Sequence, residues 1–158
     1  HHEKSNFLVT GGVDDIWIND DGELHIVDYK ATSKDGEVSL DAEWQIGYKR
    51  QAEVYQWLLR KNGFKVSDIA YFVYCNGKTD RKSFDGKLEF DISVIPYKGD
   101  HTWVEGVLCE AKNCLDGDEI PPVGEACEYC AYRKATRDVQ QEFEASKKKK
   151  PAQAKLFD

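Results

Sequence analysis

The sequence predicts an α/β fold in which a central mixed β-sheet is flanked by helices. A hairpin signal occurs early in the chain, and it is followed by a helical segment, two β-prone runs and a second helical segment. Strands that alternate with helices in this way are typical of a sheet with helices packed on it.

The early hairpin spans Gly11 to Lys30. Two short apolar runs flank the turn Asn19–Gly22, and an Asp-Gly pair between such runs favours a tight reversal of antiparallel strands. Asp14 in the first strand can then face Asp28 in the second, with Cβ atoms about 4.5–5.5 Å apart. Two carboxylates that close repel each other unless a cation or a proton lies between them.

Lys30 lies two residues after Asp28, so both side chains point to the same face of the strand. Two carboxylates and one ammonium on one face can hold a hard divalent cation and a polarised water or phosphate. The alternative is a solvated hairpin with charges on its open face. That alternative accounts for Asp20 and Asp21 better than for Asp28 and Lys30, which follow directly on a buried-looking run.

The later elements follow from spacing and from terminating residues. Ser39 or Asp41 can cap a helix that ends near Gly63. The continuous run 69–75 predicts a strand buried on both faces. The alternating run 88–95 predicts another strand, which Pro96 should end, and residues 103–115 have helical spacing.

The first helix has one aromatic and aliphatic face that a single amide interrupts. The face is formed by Trp44, Tyr48, Gln51, Tyr55 and Leu58. An amide there either lies half in water or is buried with polar partners, and spacing alone leaves both open. Lys49 and Arg50 beside it can contact phosphates or form an ordinary solvated face.

Three elements in order resemble the PD-(D/E)XK nuclease superfamily, and most closely its RecB-like branch, which includes CRISPR-associated exonucleases. They are Gly11-Gly12-Val13-Asp14, then Asp28-Tyr29-Lys30 after thirteen residues, then Gln51-x-x-x-Tyr55 on a helix. The resemblance implies a restriction-endonuclease-like core and metal-dependent hydrolysis of DNA phosphodiester bonds with Mg²⁺ or Mn²⁺, in repair, recombination or defence.

The resemblance also implies roles for individual residues. Asp14 and Asp28 would hold the metal with the carbonyl of Tyr29, and Lys30 would orient the attacking water and stabilise charge on the phosphate. The implied catalytic residues are Asp14, Asp28, Lys30, Gln51 and Tyr55, and the implied DNA contacts are Lys49 and Arg50. Asp15 is the nearest rival to Asp14, but on a strand it would point to the opposite face.

Relatives of this kind have a helical segment before the hairpin, and we expect it to be missing here, which puts the full catalytic competence of this chain in question. A non-catalytic module that binds nucleic acid or protein and keeps the nuclease fold is therefore an alternative function.

Cys127 and Cys130 form half of a metal-ligand pattern. Zinc and iron–sulfur sites normally need four ligands, and cluster-bearing relatives have a further cysteine where Thr136 stands here. We expect neither zinc nor an iron–sulfur cluster in this chain. Cys109 and Cys114 leave a zinc-stabilised interaction domain as a further alternative.

Composition limits the function classes. The net charge of −7 excludes a chain that is basic as a whole, so contact with DNA would depend on local basic patches and bound metal. No run approaches the roughly 18 apolar residues of a membrane span. Five cysteines, an odd number, argue against a secreted disulfide framework, so we expect a cytoplasmic protein.

The C-terminal end differs in composition from the rest. We expect a nuclease-like domain over residues 1–145 and a basic, flexible tail over residues 146–158, which contains four consecutive lysines. Gln153, Leu156 and Phe157 in this tail resemble the Q-x-x-L-F peptide by which bacterial proteins bind the sliding clamp. An exposed apolar pair on a flexible end suits a peptide that enters a pocket.

Overall fold

The computed structural model describes residues 1–149, which fall into two compact units, His1–Asp116 and a second one that begins at Gly117. The first unit contains β1 (Asp15–Ile18), β2 (Leu24–Thr32), a 3₁₀ turn (Glu43–Gln45), α1 (Ile46–Lys61), β3 (Ile69–Gly77), β4 (Phe90–Lys98) and α2 (Val104–Asp116). The second contains α3 (Glu128–Lys149). This is an α/β restriction-endonuclease-like core, and the predicted fold class is confirmed.

The four strands form one mixed sheet in the order β1-β2-β3-β4. β1 and β2 are antiparallel, as the hairpin signal predicts, and Gly22 in their turn has a φ of +73°. The Asn19 side chain accepts the backbone N–H groups of Asp21 and Glu23, which fixes the reversal. β2 and β3 are parallel with α1 as the crossover between them, and β4 returns antiparallel to β3.

The hydrophobic core lies between α1 and one face of the sheet. Ile26, Ala70 and Phe72 project from β2 and β3 on this face, and Ala52 projects from α1. The residues that alternate with them on β3, such as Val73, are only half-buried. The prediction of a strand buried on both faces is therefore wrong for β3, because α1 covers only one face.

Two element boundaries differ from the predicted ones. α1 begins at Ile46 and not at a cap on Ser39 or Asp41, because the 3₁₀ turn precedes it. Pro96 does not end β4: it pairs with Tyr71 inside the strand, which continues to Lys98. β4 is an edge strand of the described sheet, so the missing N–H of Pro96 falls on the open side of the ladder.

A buried carboxylate joins α1 to the elements that follow β4. Glu53 accepts hydrogen bonds from the hydroxyl of Tyr97 at 2.6 Å, the indole N–H of Trp103 at 2.7 Å and the backbone N–H of Asp100 at 3.1 Å. Burial, together with the bond to Glu53, raises the pKa of Tyr97 well above its usual range, so the phenol stays a donor.

The second unit contains the start of the predicted basic tail. Ser146 to Lys149 continue α3, and Gln153, Leu156 and Phe157 lie outside the described residues, so clamp binding stays a prediction. Among the described helices, none combines the length and the apolar character that a membrane crossing needs.

Candidate active site

The α1-facing side of β2 carries the first two site residues. Asp28 and Lys30 follow Ile26 at two-residue spacing and share its face, so the strand that supplies core residues also aims these charges at α1. Lys30 Nζ lies 2.5 Å from Asp28 Oδ2, and only 9% of the Asp28 side chain is exposed. The ion pair is therefore largely removed from water.

Asp14 lies opposite Asp28 across the hairpin. Asp15 pairs with Val27, and one further step in the same register brings Asp14 to Asp28. The backbone N–H of Tyr29 donates to Asp14 Oδ2 at 2.9 Å, which holds the carboxylate against β2. Asp15 instead accepts a hydrogen bond from the hydroxyl of Tyr29 at 2.7 Å. This bond lies on the other side of the strand, as the alternation of side chains requires.

The surroundings of Asp28 leave its negative charge incompletely compensated. Burial raises the pKa of Asp28, the bond and charge of Lys30 oppose that rise, and the neighbouring Asp14 carboxylate adds to it. Lys30 is the ionic partner of Asp28 Oδ2, and no other group in residues 1–149 donates a hydrogen bond to this buried oxygen. Lys30 pairs with Asp28, and the neighbouring Asp14 carboxylate adds a second negative charge, so the site attracts a further cation.

This donor set fits a hard divalent cation such as Mg²⁺, which uses one or two carboxylates and retains several waters. Within residues 1–149 no group of three or more His, Cys, Asp or Glu side chains comes together. The side chain of Tyr29 is bound to Asp15, so only its main-chain carbonyl can add to the set.

Tyr48 is a site neighbour that sequence reasoning missed. Lys30 Nζ lies 4.2 Å from the centroid of the Tyr48 ring, and a cation over a ring face is held by the ring quadrupole. Trp44 stands edge-on to Tyr48, with ring centroids 5.4 Å apart. The sequence contains one indication of this role, since Tyr48 lies about one helical turn before Gln51. The same spacing, however, equally fits an ordinary apolar face of the helix.

Gln51 and Tyr55 form a pair on α1 beside the start of the hairpin. The Gln51 amide donates to the Tyr55 hydroxyl at 2.9 Å, and the Gln51 side chain is exposed. Tyr55 packs so closely on Gly11 that a Cβ on Gly11 would overlap its ring. The pair therefore contacts the chain three residues before Asp14, but Gln51 makes no hydrogen bond to Asp14 or Asp28.

A family model described as the PD-(D/E)XK nuclease superfamily matches residues 2–135, which is most of the chain. The chain belongs to the PD-(D/E)XK nuclease superfamily. The superfamily consists typically of nucleases that hydrolyse DNA and generally use divalent metals, in agreement with the facing carboxylates of Asp14 and Asp28. Comparisons with curated proteins and with solved structures gave no match.

The candidate DNA contacts of this PD-(D/E)XK protein lie on a different part of α1. Lys49 Nζ lies 5.7 Å from the ring centroid of Tyr97, and Arg50 lines a depression with Glu53 and Trp103. Neither residue forms an ion pair with Asp28 or lies beside Lys30, and their role in binding DNA stays a prediction.

The cysteine pair of this PD-(D/E)XK protein lies in the second unit, at the start of α3. Hydrogen bonds from the backbone and, to a smaller extent, the thiol of Cys130 lower the pKa of Cys127. The hydrogen bond between the two side chains raises the pKa of Cys130. The two thiols are therefore neighbours. Cys109 and Cys114 lie on α2 in the first unit.

Gly11 and Gly12 provide a matched test of how the helix pair supports the site. Gly11→Ala should displace the Tyr55 ring and lower DNA cleavage about tenfold or more, since small displacements of positioning groups have such effects. Gly12→Ala meets nothing within 4 Å and should cleave like wild type. Cleavage rates with thermal melting as a folding check measure this, and equal rates for both variants would contradict it.

Proposed function

We propose that this protein is a Mg²⁺- or Mn²⁺-dependent DNA nuclease of the RecB-like kind. The observation that carries the proposal is that Asp14, Asp28 and Lys30 lie together on one face of the hairpin. Membership of the nuclease superfamily and the Gln51–Tyr55 pair on the following helix support it.

The residues of the chain divide the chemistry between them. A divalent cation at Asp14 and Asp28 would neutralise charge on the phosphate and lower the pKa of a bound water. The Lys30 ammonium is held between Asp28 Oδ2 and the Tyr48 ring, so its remaining N–H groups can donate to the attacking water or to a phosphate oxygen. Because the ammonium is already fixed, little reorganisation accompanies the reaction.

Three residues of α1 would help to bind the substrate strand. Gln51 is exposed, and its amide keeps one N–H and its carbonyl for a strand or a water beyond the Tyr55 hydroxyl. Lys49 and Arg50 would contact phosphates further along the strand. With a net charge of −7, the chain depends on these local cations and on bound metal to attract DNA.

The experiment is cleavage of end-labelled DNA by the purified chain with Mg²⁺ or Mn²⁺, and then with excess EDTA. We expect cleavage with either metal, products with 5′-phosphate ends, and complete loss of activity in EDTA, because the carboxylate pair alone repels the phosphate. Cleavage that continues in EDTA would contradict the proposal. Metal analysis of the same preparation gives a second readout, since tightly held zinc at one per chain would favour the interaction domain instead.

A further inference from the structure

A cavity of about 230 Å³ lies directly beside Lys30. It is formed by the end of β2, the loop that follows it, the 3₁₀ turn and the first turn of α1. Its chemically distinctive lining residues are Lys30, Lys34, Trp44, Gln45, Tyr48 and Tyr74. A cavity of this size is below the roughly 300 Å³ at which pockets for larger ligands begin, so it suits one planar group.

Trp44 is the unusual residue of the cavity, because this large aromatic side chain, in the 3₁₀ turn just before α1, is 66% exposed. Its edge-on contact with Tyr48 leaves its own ring faces available. An exposed tryptophan in such an orientation is suited to stacking on another planar ring.

The segment that carries Trp44 is held rigidly. Gln45 is 4% exposed, and its amide donates to the backbone carbonyl of Ser39 at 2.8 Å and to the hydroxyl of Tyr74 at 3.1 Å. Its carbonyl accepts the backbone N–H of Ala42 at 2.9 Å. Trp44 is therefore presented by a fixed turn, and its ordering requires little further loss of conformational entropy when a ligand binds.

The polar groups of the cavity complement a nucleotide. Lys30 and Lys34 supply positive charge at the wall and rim for phosphate oxygens. The Tyr74 hydroxyl accepts a hydrogen bond from Gln45, and within residues 1–149 its own proton has no acceptor, so it can donate to a base carbonyl.

We propose that the cavity binds the base of the nucleotide next to the scissile phosphate, stacked on Trp44, and that the substrate is therefore single-stranded nucleic acid. In a duplex, both faces of a base are covered by its neighbours, and moving it into a side pocket costs unstacking and unpairing energy. A single strand presents its bases without that cost. The placement of the phosphate beside Lys30 rests on the proposed nuclease function.

Binding separates this inference from catalysis. The full chain is titrated into a fluorescein-labelled single-stranded 12-mer and into the matching duplex, with Ca²⁺ in place of Mg²⁺. We expect the single strand to bind at least about tenfold tighter, and Trp44→Ala to weaken single-strand binding about 10- to 100-fold with little effect on the duplex. Trp44→Phe should retain most of the affinity because it keeps a stacking face.

Two controls test whether the loss of affinity is specific to Trp44 and to a stacked base. Phe84→Ala removes a side chain that is 74% exposed in the loop between β3 and β4, and it should bind like wild type. The wild-type protein should bind an abasic strand as weakly as the Trp44→Ala variant binds the normal strand. The Trp44→Ala substitution should not weaken binding of the abasic strand any further.

The inference is overturned if Trp44→Ala binds the single strand like wild type, if the abasic strand binds as well as the normal one, or if neither nucleic acid binds. Binding that depends on Trp44 in a protein that does not cleave with Mg²⁺ or Mn²⁺ would overturn the nuclease proposal and support the pocket. Cleavage of duplex and single strand at equal rates, unaffected by Trp44→Ala, would overturn the pocket and support the nuclease.

Discussion

Replacing Lys30 with alanine should reduce the rate of DNA cleavage about a thousandfold or more, because the ammonium fixed at Asp28 Oδ2 is the candidate donor to charge that develops in the transition state. Asp14→Asn and Asp28→Asn should have similar effects, since each removes a carboxylate charge from the metal site. Single-turnover cleavage of end-labelled DNA with saturating Mn²⁺ measures the rate.

The chain provides a matched control for this test in the neighbouring residue. Asp15 has the same side chain as Asp14, but it is bonded to the Tyr29 hydroxyl on the other side of the strand. Asp15→Asn should therefore retain most of the cleavage rate. Circular dichroism shows whether each variant is folded, and a folded Asp14→Asn or Lys30→Ala protein with wild-type activity would contradict the site.

Replacing Glu53 with alanine should lower the free energy of unfolding by about 3 kcal/mol, because it leaves three partly buried donors without their acceptor. Those donors belong to Tyr97, Asp100 and Trp103, so the change also disconnects α1 from the end of β4 and the start of α2. Urea denaturation monitored by tryptophan fluorescence measures the effect.

Glu53→Gln separates the loss of the acceptor from the loss of volume. It keeps one carbonyl oxygen but places an NH₂ group against a donor, so we expect a smaller destabilisation than for alanine. Glu110→Ala on the exposed side of α2 is the control and should change stability by less than about 0.5 kcal/mol. Equal stability of Glu53→Ala and Glu110→Ala would show that the hydrogen bonds to Glu53 contribute nothing.

The sequence predicted the hairpin and the placement of Asp14 opposite Asp28 because both depend on local chemistry. The Asp-Gly turn sets the register of β1 against β2, and alternation along a strand then determines which carboxylates share a face. The α/β class was predictable for a similar reason, since helix and strand periodicities differ. The roles of these residues in catalysis stay predictions.

Features that depend on distant parts of the chain were harder to predict from the sequence. The spacing of Trp44 placed it on the aromatic face of the predicted helix, but in the structure it lies in the 3₁₀ turn before α1 and lines an open cavity. Likewise, a proline ends a central strand but is tolerated at an edge, and the sequence does not state the order of strands. The three donors to Glu53 come from residues 44 to 50 positions later, which no local pattern indicates.

The position of Pro96 has a consequence for self-association. Edge strands expose unpaired backbone groups that can template pairing with another chain, and β4 also presents exposed apolar side chains at Phe90, Ile92 and Val94. A proline within this edge cannot donate a hydrogen bond to an added strand, so a continuous intermolecular ladder along β4 is interrupted before Lys98. Pro96, which the sequence pattern places at the end of a strand, thus protects the sheet from aggregation by strand addition.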